Sequence, residues 1–418
     1  MKLQRTMAPT AAPIGFSTIL RALAGIWSGS TRRDHIAEEL RNEYATHAVF
    51  LVSSGKAALT IILKALAASS QRRRVVIPAY TCFSVPSAIV RAGLDVVLCD
   101  IDATTLDFDH QDLQQRLDEG VLCVLPTHLF GRPADIDRVK ALCNGKGIVV
   151  VEDAAQAMGA ASKGRQVGAL GDISFFSLGR GKNLTCGTGG IILVNSAGYV
   201  DAVRKEYLAL PEGSVLDAIK NWMEMLGMKL FIHPLLYWLP AGLPFLGLGE
   251  TKFYTTFQMA RMDEVRAWFL TGWKDALKKI NRERAQQAER ILAGLKRAGI
   301  DTVPITSHDC VSLRLPVLVR DRKTKNVVCE RSREWGVGIS PNYPTTIQAI
   351  PELQGRIAAR SCPGAETVVD RLVTLPTHRY VTDRDRRKIE AILSVQMKEE
   401  EPSYPQTGSL RTGECSHR

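Results

Sequence analysis

The sequence predicts an α/β fold, with a large domain built on a mostly parallel sheet and a smaller C-terminal α/β domain. Short runs that are apolar throughout alternate with helix-length segments over residues 75–194. Uninterrupted apolar runs are typical of strands buried on both faces, and parallel strands need long crossover connections. The length of 418 residues also exceeds the size at which one hydrophobic core usually stops growing.

Six strands and three crossover helices form the predicted large domain. The strands lie at residues 75–77, 95–98, 121–125, 148–151, 173–176 and 191–194, and the helices at 56–68, 84–92 and 133–143. Residues 16–44, which precede them, have an amphipathic helical pattern.

The smaller domain repeats the alternation over shorter segments. A strongly basic helix is predicted at residues 262–298, followed by a strand at 313–319, a helix at 322–335, a short apolar run at 337–339, and helices at 365–372 and 383–396. After these, the chain loses apolar residues and gains Glu, Ser, Pro, Gly and Arg, which is typical of a disordered tail.

These patterns divide the chain into five segments. They are an N-terminal helical lead-in (1–45), the large domain (46–211), an apolar insertion (212–256), a linking helix with the small C-terminal domain (257–396), and a disordered tail (397–418).

The insertion interrupts the α/β alternation. Its stretch 225–248 is rich in Leu, Phe, Trp and Met, but Lys229, His233 and three prolines interrupt it, whereas a spanning helix needs roughly 20 mostly apolar residues. Three interpretations stay open: a buried interface or cap over the site, a peripheral membrane contact, and a membrane span, which this composition favours least.

Composition and charge favour a folded enzyme in a reducing compartment. The net charge is +11, but the basic residues are dispersed and no aromatic residues interleave with them, which favours a solvated surface over a nucleic-acid interface. The nine cysteines are odd in number and form no C-x-x-C pair, so neither a metal site nor a disulfide framework is predicted. The N-terminus has no signal-peptide pattern, and a cytoplasmic location is expected.

Two polar clusters fall at a predicted helix start and a predicted strand end, where open α/β sheets bind ligands. At residues 53–58, a Ser/Gly turn opens an Ala/Leu-rich helix and leaves backbone N–H groups free for a phosphate, although an ordinary N-cap also explains it. Glu152 and Asp153 end an apolar strand. A carboxylate there needs a partner, such as a protonated cofactor ring, or it caps the next helix.

The third cluster is a loop in which five glycines between positions 179 and 190 surround Lys182. Its spacing matches neither a P-loop nor a dinucleotide-binding turn. A desolvated lysine has a lowered pKa and can form a Schiff base with a carbonyl group. A solvated lysine in a flexible loop is the alternative.

In order and spacing, the three clusters resemble the DegT/StrS family of pyridoxal-phosphate-dependent sugar aminotransferases. The family has the fold-type I, aspartate-aminotransferase-like architecture. The likeness covers about residues 50–194 and resumes at 261–264, 314–319, 336–353 and 375–378. Its most specific segments are 152–156, 171–172, 176–177, 182–184 and 189–190.

The resemblance implies a role for each cluster around pyridoxal 5'-phosphate. Lys182 would hold the cofactor and move the proton, Asp153 would pair with the pyridinium nitrogen, and Gln156 would hydrogen-bond the ring hydroxyl. The residues that would hold the phosphate are Ser54, Gly55, Lys56 and Ser177. His128 lies in a segment that is near the cofactor in the family, or it is a satisfied core histidine.

Two positions depart from the family pattern. Members commonly have an aromatic residue that stacks on the cofactor ring, where this chain has Cys82 with Phe83 after it. Members also bring an asparagine from the partner subunit to the phosphate, and Gln258 is the candidate replacement here.

The resemblance implies transfer of an amino group, from glutamate, to a nucleotide-linked keto sugar in surface-polysaccharide or related amino-sugar synthesis. It also implies a homodimer, and residues 225–248 leave a peripheral membrane contact open. Two alternatives remain. Sugar dehydration is disfavoured because family dehydratases carry histidine in place of Lys182, and an inactive regulatory or scaffold homologue is disfavoured because Lys182, Asp153 and Gln156 are retained together.

Overall fold

The computed structural model describes residues 4–27, 31–243, 247, 249, 251–300 and 310–394. The tail predicted at 397–418 lies outside the described residues, as do several positions between 244 and 250 within the insertion.

A seven-stranded sheet forms the centre of the large domain. Its strands are β1 (Ala48–Val52), β2 (Arg74–Pro78), β3 (Asp95–Cys99), β4 (Val121–Val124), β5 (Val149–Asp153), β8 (Ile173–Ser177) and β9 (Gly190–Val194). Two further short strands, β6 (Ala161–Ser162) and β7 (Arg165–Gln166), form a hairpin outside this sheet. The sheet order is β1-β9-β8-β5-β4-β2-β3, and in this sheet only β9 runs opposite to the others. The predicted α/β fold with a mostly parallel sheet is confirmed.

Helices cover both faces of the sheet and build the rest of the chain. They are α1 (Phe16–Ala22), α2 (Thr31–Tyr44), α3 (Gly55–Ala68), α4 (Ser84–Arg91), α5 (His110–Arg116), α6 (Ile136–Cys143), α7 (Val200–Leu208), α8 (Val215–Phe231), α9 (Trp238–Ala241), α10 (Glu264–Phe269), α11 (Trp273–Arg297), α12 (Arg322–Trp335), α13 (Pro363–Arg371) and α14 (Asp383–Ser394). The single helix predicted at 262–298 is therefore two helices, because Gly272 adopts a left-handed conformation (φ 71°) between them.

The small domain has its own sheet and core. Strand β10 (Leu315–Leu318) pairs antiparallel with β11 (Leu372–Leu375), and Val317, Val373 and Ile389 belong to a core separate from that of the large sheet. One predicted boundary in this domain was wrong. Residue 372 begins β11 instead of ending a helix, because a four-residue strand is defined by its partner more than by its own pattern.

The insertion 212–256 contributes α8 and the short helix α9. Helix α8 packs on α1 and α10, and the Trp222 indole N–H donates to the carbonyl of Ile19 (2.8 Å). None of the helices in the described part of the chain is both long and apolar enough to cross a membrane. Of the three interpretations of the insertion, the membrane span has no helix to support it here.

Candidate active site

A cavity of about 190 Å³ opens at the carboxyl ends of β5 and β8. This is the edge at which open parallel sheets bind ligands. Its wall contains eight residues singled out from the sequence: Ser54, Gly55, Lys56, Cys82, Asp153, Gln156, Ser177 and Lys182. The fold therefore brings the three sequence clusters together around one space.

The turn before α3 forms one end of the cavity. Ser54 caps the helix, since its hydroxyl accepts a hydrogen bond from the N–H of Ala57 (3.1 Å). A Cβ placed on Gly55 would lie 2.9 Å from the Cβ of Ser177, so glycine is what lets the turn approach the end of β8. The first N–H groups of a helix have no partners within it, and together with two hydroxyl groups they fit a phosphate.

Lys56 adds a positive charge beside this turn. Its Nζ lies 3.2 Å from the ring centroid of Tyr254 and 4.9 Å from that of Phe257, both from the region at the end of the insertion. Cation–π contacts of this kind hold an ammonium group in place without neutralising it. The insertion thus lies against the phosphate end of the cavity.

Lys182 reaches the cavity from a loop that is fixed by distant parts of the chain. Its carbonyl accepts a hydrogen bond from Arg284 (3.1 Å), and the carbonyl of Gly181 accepts one from the Thr10 hydroxyl (2.9 Å). Among the described residues, its Nζ has no hydrogen-bond partner. Burial lowers the pKa of Lys182, while Cys82 and Asp153 act in the opposite direction and Arg314 lowers it further. The neutral, nucleophilic amine is favoured by this environment.

Asp153 ends β5 with one carboxylate oxygen engaged. Oδ1 accepts from the N–H of Ala155 (3.1 Å), and Oδ2 accepts no hydrogen bond from any described residue. Burial raises the pKa of Asp153, and the hydrogen bond from the Ala155 N–H and the nearby amine of Lys182 oppose that rise. A protonated ring nitrogen would stabilise this carboxylate as an anion.

Gln156 connects the cavity to the small domain. Its Oε1 accepts from the N–H of Phe130 (3.2 Å), and its Nε2 donates to the hydroxyl of Tyr343 (2.9 Å). One amide hydrogen of Nε2 stays available to a ligand. Tyr343 was not among the predicted site residues, and its place in the 336–353 segment was the signal that could have pointed to it.

His128 is fully engaged in the protein core. Its Nε2 lies 3.0 Å from Glu152 Oε2, and its Nδ1 accepts from the N–H of Ala134 (2.9 Å). Because Nδ1 is an acceptor, the proton belongs on Nε2 and is donated to the carboxylate. This geometry favours the satisfied core histidine.

Cys82 lines the cavity near Lys182 and Tyr343. The neighbouring Phe83 is 6% exposed and belongs to the core of the large domain, so its ring does not take the stacking position. Gln258 lies elsewhere. Its Nε2 donates to Asp217 (2.7 Å), and its carbonyl accepts from Ser53 (3.1 Å), so its side chain does not enter the cavity of its own chain.

The cavity combines an amine, an incompletely paired carboxylate and an anion-binding turn at one edge of a mostly parallel sheet. These groups fit the aldehyde, ring nitrogen and phosphate of pyridoxal phosphate, and they define the class of the fold-type I pyridoxal-phosphate proteins. The model of the DegT/DnrJ/EryC1/StrS aminotransferase family matches residues 22–394, and the chain belongs to this family. The resemblance seen in the sequence is confirmed.

Individual relatives agree with this assignment. The chain is 30% identical over 189 residues to GDP-perosamine synthase of Vibrio cholerae, covering 45% of this chain and 49% of that protein. It thus spans about half the length of the curated relatives it matches.

Two solved structures show the same fold. The Helicobacter pylori aminotransferase PseC, involved in the biosynthesis of pseudoaminic acid, aligns with a TM-score of 0.76 at 14% identity over 94% of this chain and 99% of its own. The PLP-form of the sugar aminotransferase Spr1654 from Streptococcus pneumoniae aligns with a TM-score of 0.75 at 19% identity over 94% and 99%. The predicted fold class is confirmed.

Proposed function

We propose that this protein is a pyridoxal-phosphate-dependent aminotransferase that transfers an amino group, supplied by glutamate, to a nucleotide-linked keto sugar. One observation carries the proposal: the amine of Lys182 has no hydrogen-bond partner in the described structure and shares a cavity with Asp153 and the turn at Ser54. The sugar acceptor is supported by the relatives, which include GDP-perosamine synthases and sugar aminotransferases.

Each cavity residue has a separate task in this proposal. Lys182 holds the cofactor through its amine, and Asp153 holds a proton on the ring nitrogen. Gln156 binds the ring hydroxyl through its free amide hydrogen. The phosphate is bound by Ser54, Gly55, Lys56 and Ser177. When bound, pyridoxal phosphate accepts the electrons left on a substrate carbon after loss of its proton, and it carries the amino group between the two substrates.

Lys182 also moves the proton. A buried amine with a lowered pKa accepts a proton from a substrate carbon more readily than it would if it stayed charged. Its loop is held by Thr10 and Arg284, so the amine returns to the same position after each transfer.

The test is the substitution Lys182→Ala. We expect the variant to lose the absorbance of covalently held cofactor and to lose amino transfer from labelled glutamate to a panel of nucleotide keto sugars. Lys64→Ala, which changes an exposed lysine on α3, is the matched control and should retain both. Retention of the covalent absorbance in Lys182→Ala would show that another residue holds the cofactor.

The same assay separates the alternatives. Loss of a sugar hydroxyl without amino transfer would identify a dehydratase, and bound cofactor with no turnover on any acceptor would identify an inactive homologue. The unpaired amine of Lys182 supports an active enzyme over an inactive homologue, because a purely structural site has no use for it. The lysine itself supports transamination over dehydration, because family dehydratases carry histidine at this position.

Further properties belong to the same proposal. We infer a cytoplasmic homodimer, supported by the family assignment, in which Gln258 of each subunit is the candidate for reaching the phosphate of the other. The division of the chain at residues 45, 211, 256 and 396 stays a prediction. A peripheral membrane contact through 225–248 is the less favoured role of the insertion, because Tyr254 near its end packs against Lys56 of the cavity.

A further inference from the structure

The residues before α1 are buried although they have no regular secondary structure. Residues 4–12, here called the N-terminal strap, form neither helix nor strand. Yet Met7, Ala8 and Ala11 are each at most 3% exposed. Backbone groups that are buried outside helices and strands need partners in other parts of the chain. The partners of the strap lie in two places, the small domain and the loop of Lys182.

The first half of the strap is fixed to the small domain. The guanidinium of Arg5 forms a two-point ion pair with Asp385 on α14, with distances of 3.1 Å from Nη1 to Oδ1 and 2.9 Å from Nη2 to Oδ2. The N–H of Met7 donates to the carbonyl of Gly336 (2.9 Å), and the Met7 side chain belongs to the small-domain core. Structurally, this half of the strap is part of the small domain.

The second half of the strap is fixed to the loop that carries Lys182. The Thr10 hydroxyl donates to the carbonyl of Gly181 (2.9 Å). One guanidinium nitrogen of Arg284, Nη2, donates to the carbonyls of both Ala11 (2.9 Å) and Lys182 (3.1 Å). Two consecutive residues of the strap are thus connected to two consecutive residues of the loop.

The loop needs such anchors because its own backbone is permissive. Five glycines lie between positions 179 and 190, and glycine has the widest backbone freedom of all residues. An amine on a loop of this kind is in the reacting position in only part of its conformations, unless contacts from outside the loop select that position. The strap supplies contacts at the lysine and at the residue before it.

We propose that the N-terminal strap positions the amine of Lys182, with Thr10 as the positioning residue and Arg5 as the anchor that ties the loop to the small domain. The inference rests on the proposed function, since it gives Lys182 the task of holding the cofactor. Thr10 does not line the cavity and acts through the carbonyl of Gly181.

The experiment follows covalent uptake of pyridoxal phosphate by the cofactor-free full-length protein, by stopped-flow absorbance over a range of cofactor concentrations. The limiting rate reports on the position of the amine, and the half-saturating concentration reports on the phosphate end of the cavity. We expect Thr10→Val to lower the limiting rate about fivefold, the factor that corresponds to one lost hydrogen bond, and to leave the half-saturating concentration unchanged. Thr10→Ser keeps the hydroxyl and should restore the rate.

A second variant tests the far end of the strap. Arg5→Met separates the strap from α14 and should lower the limiting rate at least about twofold, less than Thr10→Val because a partly exposed ion pair contributes less. Two matched controls should leave the rate unchanged. Thr367→Val also removes a hydroxyl-to-carbonyl hydrogen bond, to Pro363 (2.8 Å), and Arg322→Met also removes an ion pair, with Asp370.

An unchanged limiting rate in Thr10→Val or in Arg5→Met, or a change in the half-saturating concentration alone, would overturn the proposal. If Thr10→Val does not fold, Thr10→Ala decides, because it removes the hydroxyl without adding a group. The absence of covalent uptake by the unsubstituted protein would overturn the proposed function, and this inference with it. Uptake that is insensitive to the Thr10 and Arg5 variants would overturn this inference alone.

Discussion

The charge of the Asp153 carboxyl group depends on the group that binds beside it. One of its oxygens accepts from Ala155 and the other accepts nothing from the described protein, in surroundings whose burial raises its pKa. A cationic ring nitrogen would satisfy that oxygen and keep the carboxylate ionised.

We predict that Asp153→Asn keeps the fold and still binds the cofactor, but lowers turnover by at least about 100-fold, because an amide does not keep a proton on the ring nitrogen. Steady-state kinetics with a saturating donor, together with circular dichroism, tests this. The control is Asp201→Asn, which changes an exposed aspartate and should leave turnover unchanged. Asp172→Asn, just before β8, is not suitable, because Asp172 accepts a hydrogen bond from the N–H of Val150 in the sheet. Turnover within a few-fold of the parent enzyme would contradict the pairing of Asp153 with the ring nitrogen.

At the scale of elements, Glu152 ties β5 to the loop that leads into β8. Its carboxylate accepts from the N–H groups of Gly168 (2.9 Å), Leu170 (2.6 Å) and Gly171, and from His128. The carboxylate is completely buried, so these donors compensate the loss of its hydration. The loop in turn positions the strand that ends at Ser177.

We predict that Glu152→Gln destabilises the protein by about 2–3 kcal/mol, because each carboxylate oxygen accepts two hydrogen bonds and an amide nitrogen in place of either one would face two donors. Urea unfolding followed by fluorescence measures the loss. The exposed Glu119→Gln should leave the midpoint unchanged. An unaltered midpoint for Glu152→Gln would mean that water replaces the lost contact.

A second element-scale contact joins the large domain to the segment that precedes α13. Asp112 on α5 accepts from Arg360 through both oxygens (2.9 Å each), from Arg116 (2.9 Å) and from the N–H of Asp100 (2.7 Å). Burial acts to raise the pKa of Asp112, but these donors, led by Arg360, outweigh it and lower the pKa to about 2. Asp100 then accepts from the N–H groups of Gly364 and Ala365 at the start of α13 (2.9 Å each).

The sign of the pH dependence follows from that shift. Since the folded-state pKa of Asp112 lies below the ordinary value of 3.8, its stabilisation is present above about pH 4 and is lost as the pH falls towards about 2. We predict that the Asp112→Asn variant lacks this part of the acid sensitivity and has a lower free energy of unfolding than the parent protein at neutral pH. Urea midpoints measured between pH 2 and pH 7 test it, and parallel curves for the two proteins would contradict it.

At the scale of the whole molecule, α1 and α8 expose several large apolar side chains. On α8, Leu216 is 79% exposed and Met223 is 62% exposed, and on α1, Phe16 and Leu20 are more than half exposed. Residues 216 and 223 are seven apart, so they share one face of the helix. Exposed patches of this kind mark interaction sites.

We predict that a second copy of the chain covers this face, and that the double variant Leu216→Glu with Met223→Glu shifts the protein towards monomer in sedimentation velocity. The exposed substitution Lys296→Glu, also a change of charge, should leave the distribution as it was. An unchanged dimer with lost binding to anionic vesicles would assign the face to a membrane instead.

The sequence alone determined the elements and the chemical groups of the site. Buried strands are apolar throughout whatever they pair with, so β2, β3, β4, β5, β8 and β9 were visible in the pattern. A lysine among glycines and a carboxylate at a strand end are equally local features, and the family resemblance connected them before any contact was known. Strand β1 is equally apolar, so the same pattern was present at Ala48–Val52, but it was not among the predicted strands.

Only the tertiary structure decided which side chains meet. Gln156 and Tyr343 are 187 residues apart, and Arg284 reaches Lys182 across 102 residues. His128 had two interpretations until its contacts with Glu152 and Ala134 were seen, and within its own chain the side chain of Gln258 contacts Asp217. Such contacts depend on how helices and strands pack in three dimensions, which residue type and spacing along the chain do not specify.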